Sequence, residues 1–307
     1  MTSFIFSRLL SMLIVVFGVV TLVFLLIHIV PGDPLQAMLG ETATPTDLNA
    51  LRQALGLDLP LTTQWWHYIT NLLQGDLGNS LYSKEPIIDI LLQRLPATVE
   101  LAIAGLIIGI GIALPLGSLA ALRKNTIYDH GAMFFSLLGI SIPHFWLGPL
   151  LIIVFSLQLG WLPVSGQDGF ASIILPAFTL GTALAAILAR MVRATLLGVL
   201  SQDYIRTARA KGLREYSIVL HHALRNAALP LITILGLQLG GLLAGTVITE
   251  TIFAWNGIGR LTIESIQRRD YPVVQACVLL ISVSYVVVNT LTDIVYAWLD
   301  PRVRYHV

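Results

Sequence analysis

Six stretches of this 307-residue chain are long and apolar enough to cross a bilayer: 9–30, 97–122, 131–159, 173–189, 229–253 and 273–299. A spanning helix needs about 20 mostly apolar residues, because hydrocarbon offers its backbone no hydrogen-bond partners. Only 11% of the residues are charged, against about 25% in soluble domains. The stretches do not alternate polar and apolar residues, as strands of a membrane barrel would. The sequence predicts an all-α membrane protein with six transmembrane helices. The fourth stretch is the shortest and carries Pro176, which leaves its outer end the least defined.

The first stretch follows Arg8 and so shares one trait with a secretory signal. Its apolar core is too long for one, and no small-residue cleavage site precedes Pro31-Gly32-Asp33-Pro34. A retained first helix is expected. Orientation follows from Lys and Arg. With the N-terminus inside, Arg8, Arg123, Lys124, Arg190, Arg193, the basic residues of 203–230, Arg302 and Arg304 all lie inside. They make up most of the 18 basic residues, so N-in, C-in is the expected topology. Three parts follow: 1–30 as cytoplasmic end and first helix, 31–96 as an outer loop, and 97–307 as a five-helix core with an inner loop at 194–228.

The outer loop carries helix signals of its own. Thr46 is placed to cap a helix ending at Gly56, and Thr62 to cap another that stops at Gly75. Trp65, Trp66 and Tyr68 suit a membrane–water interface. A third amphipathic piece, 87–95, follows Pro86 and leads into Pro96. Two readings stay open for this loop: a lid on the bilayer, or a platform for an external partner.

Small residues recur at spacing four within the spans, as Gly105 with Gly109, Gly236 with Gly240, and Gly241 with Gly245. Such pairs let helix backbones approach closely in lipid. Pro115, Pro143 and Pro149 remove backbone donors and are expected to kink their helices.

Several kinds of chemistry are absent. The three lysines, Lys84, Lys124 and Lys211, do not follow a glycine, so no phosphate-binding GxxxxGK[ST] loop exists. No HExxH or GxSxG motif occurs either. The single cysteine, Cys277, has no partner for a disulfide or a Cys-pair metal site. The adjacent His221 and His222 point about 100° apart on a helix, a poor geometry for chelation. No catalytic site, metal site or nucleic-acid partner is expected. Polar groups inside the spans are the remaining candidates: His144, Gln238, Glu250 and Asp293. They either line a solute path or hydrogen-bond between helices at about 0.6 kcal/mol each.

Residues 203–230, DYIRTARAKGLREYSIVLHHALRNAALP, form a basic, polar insert between two apolar spans. Asp203 can cap a short helix that Gly212 ends. Tyr204, Ile205 and Ala208 share one helical face and Arg206 with Arg209 another. A second helix over 215–228 leads to Pro230. Two short amphipathic helices suit either a groove on a soluble partner or an anionic membrane surface.

This segment resembles the coupling loop, often called the EAA loop, of ABC-importer permeases. Gly212 matches the loop's glycine, and Arg206-Thr207-Ala208 occupies the triplet. TARAKG is similar to the form found in the dipeptide, oligopeptide and nickel branch. Pro31-Gly32-Asp33-Pro34, LPATVEL at 95–101, Arg269-Asp270-Tyr271-Pro272 and Leu299-Asp300-Pro301-Arg302 agree with that branch. The resemblance implies an inner-membrane permease of the type I importer fold, with Tyr204, Ile205, Arg206, Thr207, Ala208, Arg209, Ala210, Lys211, Gly212 and Leu213 as the coupling helix. It implies a homologous permease partner, two ATP-binding subunits that hold MgATP, and a periplasmic or surface-anchored binding protein. The implied cargo is short peptides, with chelated nickel or glutathione as alternatives. A secondary carrier using Asp293 or Glu250 is the rival from another class, and it leaves 203–230 without a purpose.

Overall fold

The computed structural model describes residues 2–29, 46 and 58–299. Among these, helices dominate and no strand forms beyond an isolated bridge between Asn79 and Pro86. We number the helices α1 (Thr2–Ile29), α2 (Leu61–Leu73), α3 (Ile87–Leu122), α4 (Ile127–Ser141), α5 (His144–Leu151), α6 (Phe170–Leu200), α7 (Asp203–Ala210), α8 (Glu215–Ser217), α9 (Leu224–Ile252), α10 (Ile258–Gln267) and α11 (Tyr271–Leu299). Four of them, α1, α3, α6 and α11, are each long and apolar enough to span a membrane. The α4–α5 pair and the helical run from Glu215 to Leu242 pass the same test as bent pairs, which brings the number to six where each pair is one span.

Several expected boundaries move. The 131–159 span is not one rod: α4 and the His144–Gln158 segment meet at 105°. Pro143 stands at the break, where its missing N–H ends α4. Beyond Leu151 the chain continues as a π-helix, Ile152–Gln158, after Pro149 has removed another backbone donor. The 87–95 piece is not separate. It runs through Pro96 into the second span as a single 36-residue helix. The fourth span extends to Leu200, so 194–200 belongs to α6 and the inner loop begins at Ser201.

Two expected caps also fail. Pro60, not Thr62, precedes α2, and Gln202, not Asp203, precedes α7. Asp203 takes the first helical position, where its charge still suits the positive helix end. The second loop helix is only three residues long before a π-turn, Ile218–Ala223, carries it into α9. The expected helix at 46–56 and the motifs at 31–34 and 299–302 lie largely outside the described residues, as do the surroundings of Gly245.

The bundle is built on the crossing of α3 and α6. A Cβ on Gly181 would press on the carbonyl oxygen of Gly105 and, at 3.1 Å, on the backbone nitrogen of Gly109. Gly117 is filled in the same way by Ala189 and Val192. The expected close approach at Gly105 and Gly109 is thus a contact of backbone on backbone. Gly236 and Gly240 make room on α9 for side chains instead, those of Thr292 and Tyr285 of α11. Dispersion over such surfaces holds helices together in lipid, where no hydrophobic force acts between them.

Outside this core, α1 packs on α11 and α2. Trp65 meets Phe17 edge-on, with ring centroids 5.7 Å apart, and Tyr68 lies by Phe24. The aromatic residues of the outer loop therefore clamp α2 to the first span, while Trp66 remains exposed.

Candidate functional site: the inner loop at 201–217

Helix α7 is short, and its two buried side chains hold it to the bundle. Ile205 is fully buried and Ala208 nearly so, in one apolar cluster with Leu188, Val192 and Leu196 of α6 and with Ile218 and Ala223 at the entry to α9. Burying an isoleucine side chain is worth about 1.5–3 kcal/mol. The inward stripe at i and i+3 therefore fixes the helix's rotation. Tyr204 stays partly exposed, and its hydroxyl oxygen accepts from the Asn226 amide at 2.7 Å.

The C-terminal end of α7 is closed by backbone geometry. Gly212 has φ +80°, a conformation glycine adopts without steric cost. Its N–H donates to the Arg209 carbonyl at 2.9 Å, and the Leu213 N–H donates to the Ala208 carbonyl at 3.3 Å. This pair of bonds is a Schellman motif, satisfying carbonyls that the helix end leaves open. Arg209 then reaches across the turn to Glu215, Nε to Oε1 at 2.7 Å and Nη2 to Oε2 at 3.3 Å. The carboxylate holds the guanidinium further above its ordinary range.

What is left outward is a polar face: Arg206, Thr207, Ala210, Lys211 and Leu213 are exposed, as is Tyr216. Among the described residues, Arg206 pairs with Asp203, at 3.5 Å on the surface. The arrangement leaves one face of α7 open while the other is locked to two spanning helices. Force on α7 therefore passes into α6 and α9 together.

Residues 113–305 match the family described as "Binding-protein-dependent transport system inner membrane component", and residues 1–102 match its N-terminal family. The chain belongs to this family. It is 45% identical over 305 residues to the glutathione transport system permease protein GsiC of Escherichia coli strain K12, covering 99% of this chain and 100% of that one. The GsiC of Shigella flexneri serotype 5b is 44% identical over the same length. Among solved structures, an inward-facing form of the MetNI methionine ABC transporter superposes with a TM-score of 0.60 at 19% identity, covering 70% of this chain and 99% of that one. A second MetNI crystal form gives 0.58 at 20% identity, with the same coverage.

The protein is therefore a multi-pass permease of an ABC importer in the bacterial inner membrane, and permeases of this family are transport subunits without an ATPase of their own. Within this permease, the four intramembrane candidates do not gather into one site. His144 lies at the α4–α5 break, and its Nδ1 stands 3.0 Å from the Thr179 carbonyl oxygen, which can only accept. Glu250 is fully buried and accepts from the Thr98 hydroxyl at 2.7 Å and the Arg260 N–H at 3.0 Å. The Thr98 oxygen in turn accepts from the Ile258 N–H. Glu250 thus caps α10 and pins it to α3. Asp293 pairs with Arg8 of α1 at 3.2 Å. Gln238 is half-buried on α9, one residue from exposed Leu237, and Gly241 on the same helix faces open space.

Sequence reasoning missed two polar anchors. Asp129 of α4 is buried and receives Arg193 of α6 through Nε at 2.5 Å and Nη2 at 2.7 Å. At the outer end, buried Asp270 accepts from the Ser80 hydroxyl and from the Leu81 and Tyr82 N–H groups. Arg268 lies over the Tyr82 ring, 4.6 Å from its centroid. These contacts give the Arg269-Asp270-Tyr271-Pro272 motif a physical role in holding the outer loop down. The apolar break at Asp129 and Arg193 was the available signal for the first pair.

Proposed function

We propose that this permease forms one wall of a solute path shared with a second, homologous permease, and that α7 is the helix through which an ATP-binding subunit moves it. Two such subunits bind and hydrolyse MgATP. A periplasmic or surface-anchored binding protein delivers the solute. Both termini and the inner loop face the cytoplasm, and the division into 1–30, 31–96 and 97–307 describes how the chain is used. The exposed stripe of Leu237, Gly241 and Ile248 on α9, with Gln238 beside it, faces the shared path.

The observation that carries this reading is the two-sided character of α7. Its inner side is sealed by Ile205 and Ala208, and its outer side is held rigid by the Gly212 turn and the Arg209–Glu215 pair. Closing of the ATP-binding subunits shifts α7, and rigid-body rotation of the permease pair follows. Two contacts weigh against the secondary-carrier alternative: Asp293 has a cationic partner, and Glu250 caps a helix.

The cargo is a short peptide, and glutathione, itself a tripeptide, is the first to test because GsiC permeases match this chain from end to end. The test is uptake of labelled glutathione and of a dipeptide into proteoliposomes holding this chain with its co-purifying permease, ATP-binding subunits and binding protein. Uptake that needs enclosed ATP and ignores a proton ionophore is expected. Uptake by this chain alone, abolished by the ionophore, would contradict it.

A further inference from the structure

A cleft of about 610 Å³ opens between the α3–α4 turn and the α7–α8 strap. Its lining mixes two chemistries: Leu122, Leu197 and Leu200 at the ends of two spanning helices, and Arg123, Lys124 and the Arg209–Glu215 pair. Arg123 also lies over the Tyr128 ring, 5.6 Å from its centroid. Tyr128 and its neighbour Ile127 are both exposed, as residues at the bilayer surface are. Glu215 is taken by Arg209, so Arg123 and Lys124 bring two cations that no carboxylate pairs with among the described residues.

We propose that this cleft binds the headgroup of an anionic phospholipid, with an acyl chain along Leu122, Leu197 and Leu200. Free phosphate shares the headgroup's charge but gains nothing from the leucines. Basic pockets between spanning helices on the inner side suit anionic headgroups, and the position at two helix ends places this one at lipid-headgroup depth. A bound headgroup braces the Arg209–Glu215 strap against the α3–α4 turn. Binding itself does not depend on α7 being the coupling helix; an effect of lipid on coupling does rest on that reading.

Native mass spectrometry of the full transporter with tetraoleoyl cardiolipin tests the proposal, with glycerol phosphate as the soluble arm. Removing two juxtamembrane cations at about fivefold each predicts about thirtyfold weaker lipid binding for Arg123→Gln/Lys124→Gln. Lys124→Gln alone is expected to lose about fivefold, which keeps the test decisive if the double variant fails to assemble. Wild type should retain the lipid and none of the three proteins should retain glycerol phosphate. Equal lipid binding by wild type and variants, no binding by wild type, or glycerol phosphate binding as tightly as the lipid would overturn it. So would a photo-crosslinker at Ser201 that captures an ATP-binding subunit and no lipid, since the cleft would then belong to that subunit.

Discussion

Arg209 grips Glu215 with two nitrogens, at 2.7 and 3.3 Å, and so ties the end of α7 to the segment that enters the fifth span. Both side chains are about half exposed. A pair in that setting adds only about 0–1 kcal/mol to stability. Its value lies in geometry: it fixes the angle between α7 and the π-turn beyond it.

Arg209→Ala is therefore expected to leave the melting temperature of the purified transporter within a few degrees of wild type. Binding-protein-stimulated ATP hydrolysis should fall severalfold in the same variant. The exchange Arg209→Glu/Glu215→Arg should recover part of it. Loss of stability matching the loss of coupling would make the pair a simple structural tie.

Gly212 provides a graded series. At φ +80° an L-residue costs roughly 1–2 kcal/mol, and asparagine is the side chain that tolerates this region best. Gly212→Asn should keep most uptake, whereas the β-branched Gly212→Val should reach the membrane yet lose ATP-driven uptake. Immunoblots of membranes alongside transport assays separate the two effects. Normal uptake by Gly212→Val would refute the role given to this turn.

Within the bundle, Gly181 and Gly198 lie on the same helix in opposite surroundings. A Cβ at Gly181 meets backbone of α3, while nothing lies within 4 Å of Gly198. Gly181→Val should destabilise by about 1–3 kcal/mol or more through overpacking. Gly198→Ala should be neutral or stabilise by about 0.5–1 kcal/mol. Thermal unfolding in detergent followed by tryptophan fluorescence tests both.

Asp270 holds three donors of the outer loop, one hydroxyl and two backbone N–H groups. Asp270→Ala takes the acceptor from the buried Ser80 hydroxyl and the half-buried Leu81 N–H, while the Tyr82 N–H keeps Ser80 Oγ at 3.2 Å; a buried orphan costs about 1–3 kcal/mol. The loop around Lys84 should then open. Trypsin applied from the outer side is expected to cut after Lys84 much faster in the variant than in wild type.

Much of the fold was legible because its signals are local. Apolar length marked the spans, and Gly105 with Gly109 marked the α3–α6 crossing from a spacing within one helix. The inner loop was readable for the same reason: Ile205, Ala208 and Gly212 lie within eight residues. Apolarity is blind to direction, however, and both halves of 131–159 are equally apolar, so Pro143 signalled a kink without its 105° angle. The polar anchors escaped because their partners are remote. Glu250 meets Thr98, 152 residues away, and Asp270 meets Ser80, 190 away. Seen in sequence, each is a lone acid in or beside a span, open to a reading as pathway or ion site.

The most direct test of the central claim is cross-linking from Arg206, which stands exposed on the outward face of α7. Arg206→Cys in the assembled transporter should cross-link to an ATP-binding subunit under a short thiol reagent, with a yield that changes when ATP is bound; the natural Cys277 is buried and should stay silent. An assembled, active transporter in which the introduced thiol reaches only lipid or the second permease would contradict the account.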